Sequence, residues 1–461
     1  MRREDQASPR YRHCDPPALC GDAGDRHTFI MINRILPISA LMLGVALLLA
    51  GNGLFGTLLG VRGVLEGYSG RLLGLVMSAY FAGFLLGTYV NPGIVARVGH
   101  IRAFAIFAAL AASAAVLHGL LVHPMAWLML RVVTGACMVG LYMVVESWLN
   151  TQAQPETRGQ IFATYMAVNF AGLALGQTMI GLYPPQGFEL FGVVAMLLAL
   201  SLVPVALTST AQPAPMHTPR LSLRVLNERA PVGIAGAIGS GIALSAFWGL
   251  GPAAAQQLSL GDNGVALFMT VAILGGALLQ WPIGRWSDHG GDRRRVLFLL
   301  TASAAGVALF GFLIGVHLRG LLLVSMFAFG ALAFAIYPVS IALTNDRLST
   351  EDMLQGASSL LLLHGAGAVI GPSVAGVLME WLGAAALLLH FAVVFAALAG
   401  YAAWRLWISP EGPSANAVFV PMVRTTPAAL EMISPPETET AAANPATEPP
   451  LAGSTARTPA D

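Results

Sequence analysis

No lysine occurs among the 461 residues: all 24 basic side chains are arginine, and charged residues make up only 10% of the chain. Without lysine there can be no Gly-x-x-x-x-Gly-Lys phosphate loop, which excludes ATP-driven work by that route. Soluble domains carry about 25% charged residues, so a soluble domain is excluded as well. The net charge of +1 gives no electrostatic case for nucleic acid. Only three cysteines occur, Cys14, Cys20 and Cys137, with no Cys-x-x-Cys and no Cys/His spacing, so neither a disulfide framework nor a metal site is expected, and no cofactor. A Gly-x-Ser-x-Gly elbow is also missing, and the intramembrane ionisable residues are isolated rather than clustered, which argues against an enzyme.

What is present is apolar. Hydrophobic residues make up 56% of the chain, and the mean hydropathy is +0.71. A bilayer needs about 20 apolar residues per crossing. Twelve such runs occur, near 35–59, 71–92, 101–122, 124–149, 159–182 and 187–208, then 230–251, 264–284, 295–316, 320–344, 356–379 and 383–407. Each must be a helix, because lipid offers the backbone no hydrogen-bond partners. The reading is therefore all-α and integral to the membrane. A polar leader (1–34) is expected to be disordered or to reflect a start at Met31. Six spans (35–208), a cytoplasmic connector (209–229), six more spans (230–408) and a disordered cytoplasmic tail (409–461) follow.

Arginine placement orients the bundle. With the N-terminus inside, inside links hold eleven arginines and outside links only Arg62, Arg71 and Arg319, so both termini are expected in the cytoplasm. The two sets of six also repeat. Leu75, Met77, Gly83 and Leu86 recur in register as Leu267, Met269, Gly275 and Leu278. Gly135, Ala136 and Tyr142 recur as Gly330, Ala331 and Tyr337, and Gly172, Gly176 and Gly181 as Gly367, Gly371 and Gly376. Two parallel six-helix repeats follow.

The densest motif is Gly284-Arg285-Trp286-Ser287-Asp288-His289-Gly290-Gly291-Asp292-Arg293-Arg294-Arg295, a short charged link between two apolar runs. Its charges place it at a membrane surface, where Asp288 can latch an arginine. It resembles the signature loop of the major facilitator superfamily, Gly-x-x-x-Asp-basic-x-Gly-basic-basic, through Gly284, Asp288, Gly291, Arg293 and Arg294. The first-half copy keeps Arg97, Gly99 and Arg102 but has Ala96 where the family has Asp. Arg131 to Gly135 looks like the family's Arg-x-x-x-Gly of helix four, and Gly367, Gly371 and Pro372 resemble an antiporter hinge, although the family carries that hinge in helix five. Gln280 to Arg285 together with Val144 to Ser147 is similar to the bacterial YcaD-like branch. The resemblance covers residues 35–407. It implies two halves that rock about a central site, latched at their cytoplasmic ends by arginine–carboxylate contacts, in a protein of the bacterial inner membrane.

Ionisable residues inside a membrane cost at least roughly 2.5–3.5 kcal/mol at the helix centre, which makes each a functional candidate. Arg131 either snorkels outward or serves the cavity and coupling. Glu146 lies fifteen residues further along, about 22 Å away at 1.5 Å per residue, too far to pair with Arg131. Glu146 is expected to pair with Arg97 or Arg102 as a gate, or else to carry protons. His364 could titrate and join the coupling, or be a packing residue. Helices that line the central cavity in the superfamily carry Asn52, Tyr142, Asn169 and Ser245 here, with Trp248, Gln280 and Tyr337. Aromatic walls with scattered amides suit an amphipathic, weakly charged small molecule. The expectation is a secondary transporter of a small solute, coupled to protons, in contact with lipid and independent of ATP. The alternatives are a multidrug-type exporter and a non-transporting sensor or partner protein.

Overall fold

The computed structural model of the chain describes residues 23–154, 157–207, 221–289, 291–409, 417, 419–422 and 426, with backbone alone for 23–38, 350 and 351. Among the described residues, twelve helices are long and apolar enough to cross a membrane. Spans 1–6 are Ser39–Leu65, Gly70–Val98, His100–Leu120, Pro124–Gln152, Arg158–Leu182 and Glu189–Ala206. Spans 7–12 are Pro231–Gln257, Gly261–His289, Arg293–His317, Arg319–Asn345, Asp352–Leu382 and Ala386–Ile408.

Local chemistry starts and stops them. The Ser69 hydroxyl accepts from the Leu72 amide to cap span 2, and Asp292 accepts from the Arg294 amide to cap span 9. Pro124 and Pro231 occupy first-turn positions, where a missing N–H costs nothing. The links between spans 2 and 3 and between spans 8 and 9 each turn on a glycine in the left-handed region, Gly99 at φ 82° and Gly291 at φ 75°. Both are glycines of the two signature-loop copies, and the sharp reversal explains them.

The internal repeat is visible in the packing. A Cβ on Gly83 would overlap the Val132 carbonyl and one on Gly135 the Tyr80 carbonyl, so spans 2 and 4 touch backbone to backbone. Gly275 against Phe327 and Gly330 against Ala272 make the same contact between spans 8 and 10. Gly172 and Gly176 bring span 5 onto span 1, as Gly367 and Gly371 bring span 11 onto span 7. The matches read in the sequence are the helix–helix contact points of two equivalent six-helix bundles.

One end of the bundle carries the links between spans 1 and 2, 3 and 4, 5 and 6, 7 and 8, 9 and 10, and 11 and 12, with Arg62, Arg71 and Arg319. It is called the Arg-poor end below, and the opposite end the Arg-rich end. Two expectations need correction. The first helix begins at Ala23, inside the stretch read as a disordered leader, because its turns continue unbroken into span 1. In the tail, Phe419, Met422 and Thr426 are buried at 7%, 4% and 0% exposure, so those positions are packed rather than disordered. Residues 1–22, most of the connector and the rest of the tail lie outside the described residues.

Candidate functional site

Between the halves, spans 7, 10 and 11 form an aromatic chamber. Leu244, Trp248, Phe334, Tyr337 and His364 line it. Trp248 stacks on Phe334 at 5.7 Å, and the Tyr337 ring lies 4.4 Å from the His364 ring. Phe170 of span 5 stacks on Phe334 at 6.5 Å, which closes the wall from the other half. His364 Nδ1 is 3.2 Å from both Ser240 Oγ and the Ala237 carbonyl, so its orientation is set by span 7. Gln280 sits beside the chamber and donates to the Phe334 carbonyl at 2.9 Å.

The N-terminal half contributes a chain of polar and aromatic groups. Asn52 donates to the Tyr142 hydroxyl at 3.2 Å. Tyr142 leads through Phe84, at 6.2 Å, to Tyr80, at a further 6.3 Å. The Arg131 guanidinium lies 4.3 Å from the centre of the Tyr80 ring and 5.9 Å from that of Phe55. Arg131 is 4% exposed, so the snorkelling alternative does not hold. Aromatic faces solvate the cation instead.

Glu146 is fully buried and accepts a hydrogen bond from the Tyr165 hydroxyl at 2.9 Å. Its expected partners Arg97 and Arg102 are exposed at the Arg-rich surface, and no described ion pair joins them to it. Among the described contacts the Glu146 carboxylate meets Tyr165 of span 5, and the expected pairing with Arg97 or Arg102 is not seen. Asn169 and Ser245 also differ from expectation. Asn169 donates to the Tyr165 carbonyl and Ser245 to the Ile242 carbonyl, each bonding its own helix. Gly367 and Gly371, expected as a hinge, pack closely on span 7, with Pro372 inside a continuous helix.

The charged link is held by buried ion pairs. Arg293, whose side chain is 0% exposed, donates at 2.7 Å to both Asp288 and Asp346, and also reaches Ser287 and the Ala342 carbonyl. This ties together the Arg-rich ends of spans 8, 9 and 10, all within the C-terminal half. Arg294 pairs with Asp292 of its own helix cap. Burial works against ionisation of Asp292, but the hydrogen bonds and charge of Arg294 outweigh it and hold the carboxyl below its ordinary value. A depressed carboxyl pKa stabilises the fold at neutral pH, and that contribution is lost as pH falls through the folded value. Asp292→Asn should therefore lower Tm at pH 7, and the difference from the parent should shrink as pH falls below the ordinary carboxylate range. A constant difference at every pH would contradict the ion pair's role.

Direct hydrogen bonds between the two halves, among the described residues, lie toward the Arg-poor end. The Arg71 amide donates to Glu380 at 2.9 Å, with the Arg71 guanidinium 3.4 Å from the same carboxylate. Ser78 and Ser373 share a hydrogen bond of 2.8 Å. Gly70 and Gly74 of span 2 meet Gly376 and Pro372 of span 11 backbone to backbone. Toward the Arg-rich end, the described hydrogen bonds linking the chain to Glu146 from beyond span 12 come from Thr426.

Sequence reasoning missed Phe334, Tyr80, Tyr165, Asp346, Arg71 and Glu380. Phe334 and Tyr80 look like ordinary apolar residues within their runs, and only the facing helix makes them walls. Asp346 was legible in principle, as a carboxylate at the Arg-rich end of span 10. The apolar island from Ala417 to Val423 within a tail rich in Pro, Thr and Glu was also legible.

The sequence profile of the Major Facilitator Superfamily matches residues 233–429. An uncharacterized MFS-type transporter of Enterobacter sp. (strain 638) is 29% identical over 75% of this chain and 89% of its own length. The uncharacterized MFS-type transporter YcaD of Escherichia fergusonii is 27% identical over the same shares. Among solved structures, the nucleoside transporter NupG aligns with a TM-score of 0.63 at 16% identity, covering 81% of this chain and 98% of NupG. A bacterial homolog of the human lysosomal transporter Spinster, in an inward-facing and unoccupied conformation, aligns with a TM-score of 0.59 at 14% identity, covering 82% of this chain and 95% of its own. With twelve spans among the described residues, in two equivalent bundles, the chain has the major facilitator fold and is similar in sequence to MFS-type transporters of the YcaD-like branch.

Proposed function

We propose that the chain is a proton-coupled secondary transporter of the bacterial inner membrane, working by alternating access with both termini in the cytoplasm. Arginine asymmetry makes the Arg-rich end cytoplasmic. One observation carries the reading: the halves hold each other directly through Arg71–Glu380 and Ser78–Ser373 near the outer face, while the chamber lies deeper. A seam at one end and aromatic walls beyond it are what a two-gate carrier has in its inward-facing state. Latch residues Asp288, Arg293 and Asp346 then brace the C-terminal half as a rigid body.

The solute suited to these walls is amphipathic, with a flat or apolar part for Trp248, Phe334 and Tyr337 and a polar edge for Gln280. Glu146 is the favoured proton carrier, because a buried carboxylate hydrogen-bonded to Tyr165 can exchange a proton without leaving an unpaired group. Arg131 and His364 are the other coupling candidates. A thermal-stability screen of metabolites and drugs at two pH values identifies the solute, since a ligand at a hundred times its Kd adds about 2.7 kcal/mol. In proteoliposomes, Glu146→Gln should then retain solute exchange and lose accumulation driven by a pH gradient. Gradient-driven accumulation at the parent rate would remove Glu146 from the coupling. A chamber already filled by the chain's own residues favours the second reading, a sensor with the transporter fold, for which no solute in the screen would shift Tm.

A further inference from the structure

The tail positions packed inside the bundle are not scattered. Beginning near the Arg-rich surface, the Ala417 amide donates to Asp346 at 2.8 Å and the Phe419 amide to Asp288 at 2.9 Å. The Ala417 carbonyl accepts from Arg293, so the tail enters through the latch itself. Phe419 seats its ring on Gly284, where any Cβ would collide with it. Deeper, the Met422 carbonyl accepts from Gln280 at 3.0 Å. Met422 fills the aromatic chamber among Trp248, Phe334, Tyr337 and His364, leaving a cavity of only about 10 Å³, the size of a single water site. The Thr426 amide then donates to Glu146 at 2.8 Å, and its hydroxyl does the same.

We infer that the tail, through Ala417, Phe419, Met422 and Thr426, is a tethered occupant of the central cavity, which excludes solute while seated and displays the chemistry of the ligands the cavity takes. This rests on the transporter reading for its regulatory consequence. Three carboxylates of the bundle, Asp346, Asp288 and Glu146, each receive a main-chain N–H from the tail, and bonds to ionised acceptors are the stronger kind. Ala417 on Asp346 of the C-terminal half and Thr426 on Glu146 of the N-terminal half bridge the halves at the end where they make no other described hydrogen bond. While the tail bridges them, the rocking motion is held. The tether raises its effective concentration without a high intrinsic affinity, so a solute or a partner that takes the tail can displace it.

The contacts define the ligand. The chamber receives an unbranched apolar side chain, Gln280 a carbonyl oxygen, and Glu146 two donors, an amide N–H and a hydroxyl. A neutral, extended, peptide-like molecule with an apolar group and a donor-bearing end meets all three, whereas an anion would face Glu146 and Asp288.

Two readouts on the full-length chain test this without a transport assay. The first uses Met422→Cys in a protein whose Cys14, Cys20 and Cys137 are changed to serine, labelled with a maleimide under native conditions. Labelling should be at least about tenfold slower than that of Leu207→Cys, an exposed reference on the same face, and Phe419→Ala should restore the fast rate. Equal rates for Met422→Cys and Leu207→Cys would overturn the occupancy. The second adds a synthetic peptide spanning residues 417–426 to full-length Phe419→Ala and to the parent. The peptide should raise the Tm of the variant by several degrees and leave the parent unchanged. No shift in the variant would overturn the ligand chemistry. Should Phe419→Ala fold poorly, Thr426→Ala, which removes the deep hydroxyl anchor, replaces it in both readouts. Absence of transport would sink the transporter reading while leaving both results standing.

Discussion

Arg293→Met should lower Tm by about 3–5 °C, the largest single-residue effect expected in the C-terminal half. Arg293 is fully buried, and its two carboxylate partners differ in environment: the Asp346 side chain is 1% exposed and that of Asp288 is 27% exposed. Removing the arginine takes from Asp346 its buried ion-pair partner in a site with almost no water. Breaking a buried pair from one side costs about 3–5 kcal/mol, which corresponds to a shift of this size in a protein with a large unfolding entropy. The remedy distinguishes desolvation from loss of contact. Adding Asp346→Leu to Arg293→Met removes the buried charge and should recover most of the lost Tm, because an apolar replacement of a buried pair is often neutral. Asp288→Ala should be far milder, since Arg293 keeps Asp346 and the lost carboxylate was partly hydrated. That variant should fold and insert, with its defect in transport rather than in stability. A double-mutant cycle by thermal denaturation in detergent provides the numbers. If Asp288→Ala proved as damaging as Arg293→Met, the latch would depend on the exposed acid, contrary to the geometry.

Gly74→Leu should open the Arg-poor seam. A Cβ at position 74 would overlap the Pro372 carbonyl, which belongs to a helix backbone and cannot step aside as a side chain could. Leucine is a good helix former, so span 2 itself is unharmed and the strain falls on the interface. The cheapest relief is separation of spans 2 and 11, which takes Arg71 from Glu380 and Ser78 from Ser373. Cysteines placed at Ser78 and Ser373, whose hydroxyls are 2.8 Å apart, should form a disulfide readily in the parent and at least about tenfold more slowly with Gly74→Leu. An unchanged rate of disulfide formation would mean that the seam yields elsewhere. Glu380→Ala should slow it far less, because the exposed ion pair is solvated in either arrangement.

Most of the architecture was legible before any coordinates. The twelve spans follow from run length, and Gly83, Gly135, Gly172 and Gly176 with their second-half counterparts mark the contacts that build each bundle. The Asp288–Arg293 pairing was readable because a short charged link between two apolar helices leaves its acid and its arginine little choice of partner. The candidate site was legible only in pieces. Trp248, Tyr337 and His364 do converge, and Asn52 meets Tyr142. The contact of Glu146 with Tyr165 was not legible because hydropathy gives the depth of a residue along a helix but not its azimuth. Arg97 and Arg102 lie at a suitable height on the outside of the bundle, whereas Tyr165 lies on the inside.

That distinction separates what this sequence determined alone from what the tertiary structure decided. Crossing number, pseudo-repeat, loop chemistry and the asymmetry of arginine follow from local transfer energies and glycine sterics, which act residue by residue along the chain. Three features arise only when helices distant in sequence are brought together: the Arg71–Glu380 seam, the Arg131 cation against Tyr80, and the entry of Phe419, Met422 and Thr426 into the cavity. They depend on which face of each helix turns inward, and that choice is made by the packing of all twelve spans at once.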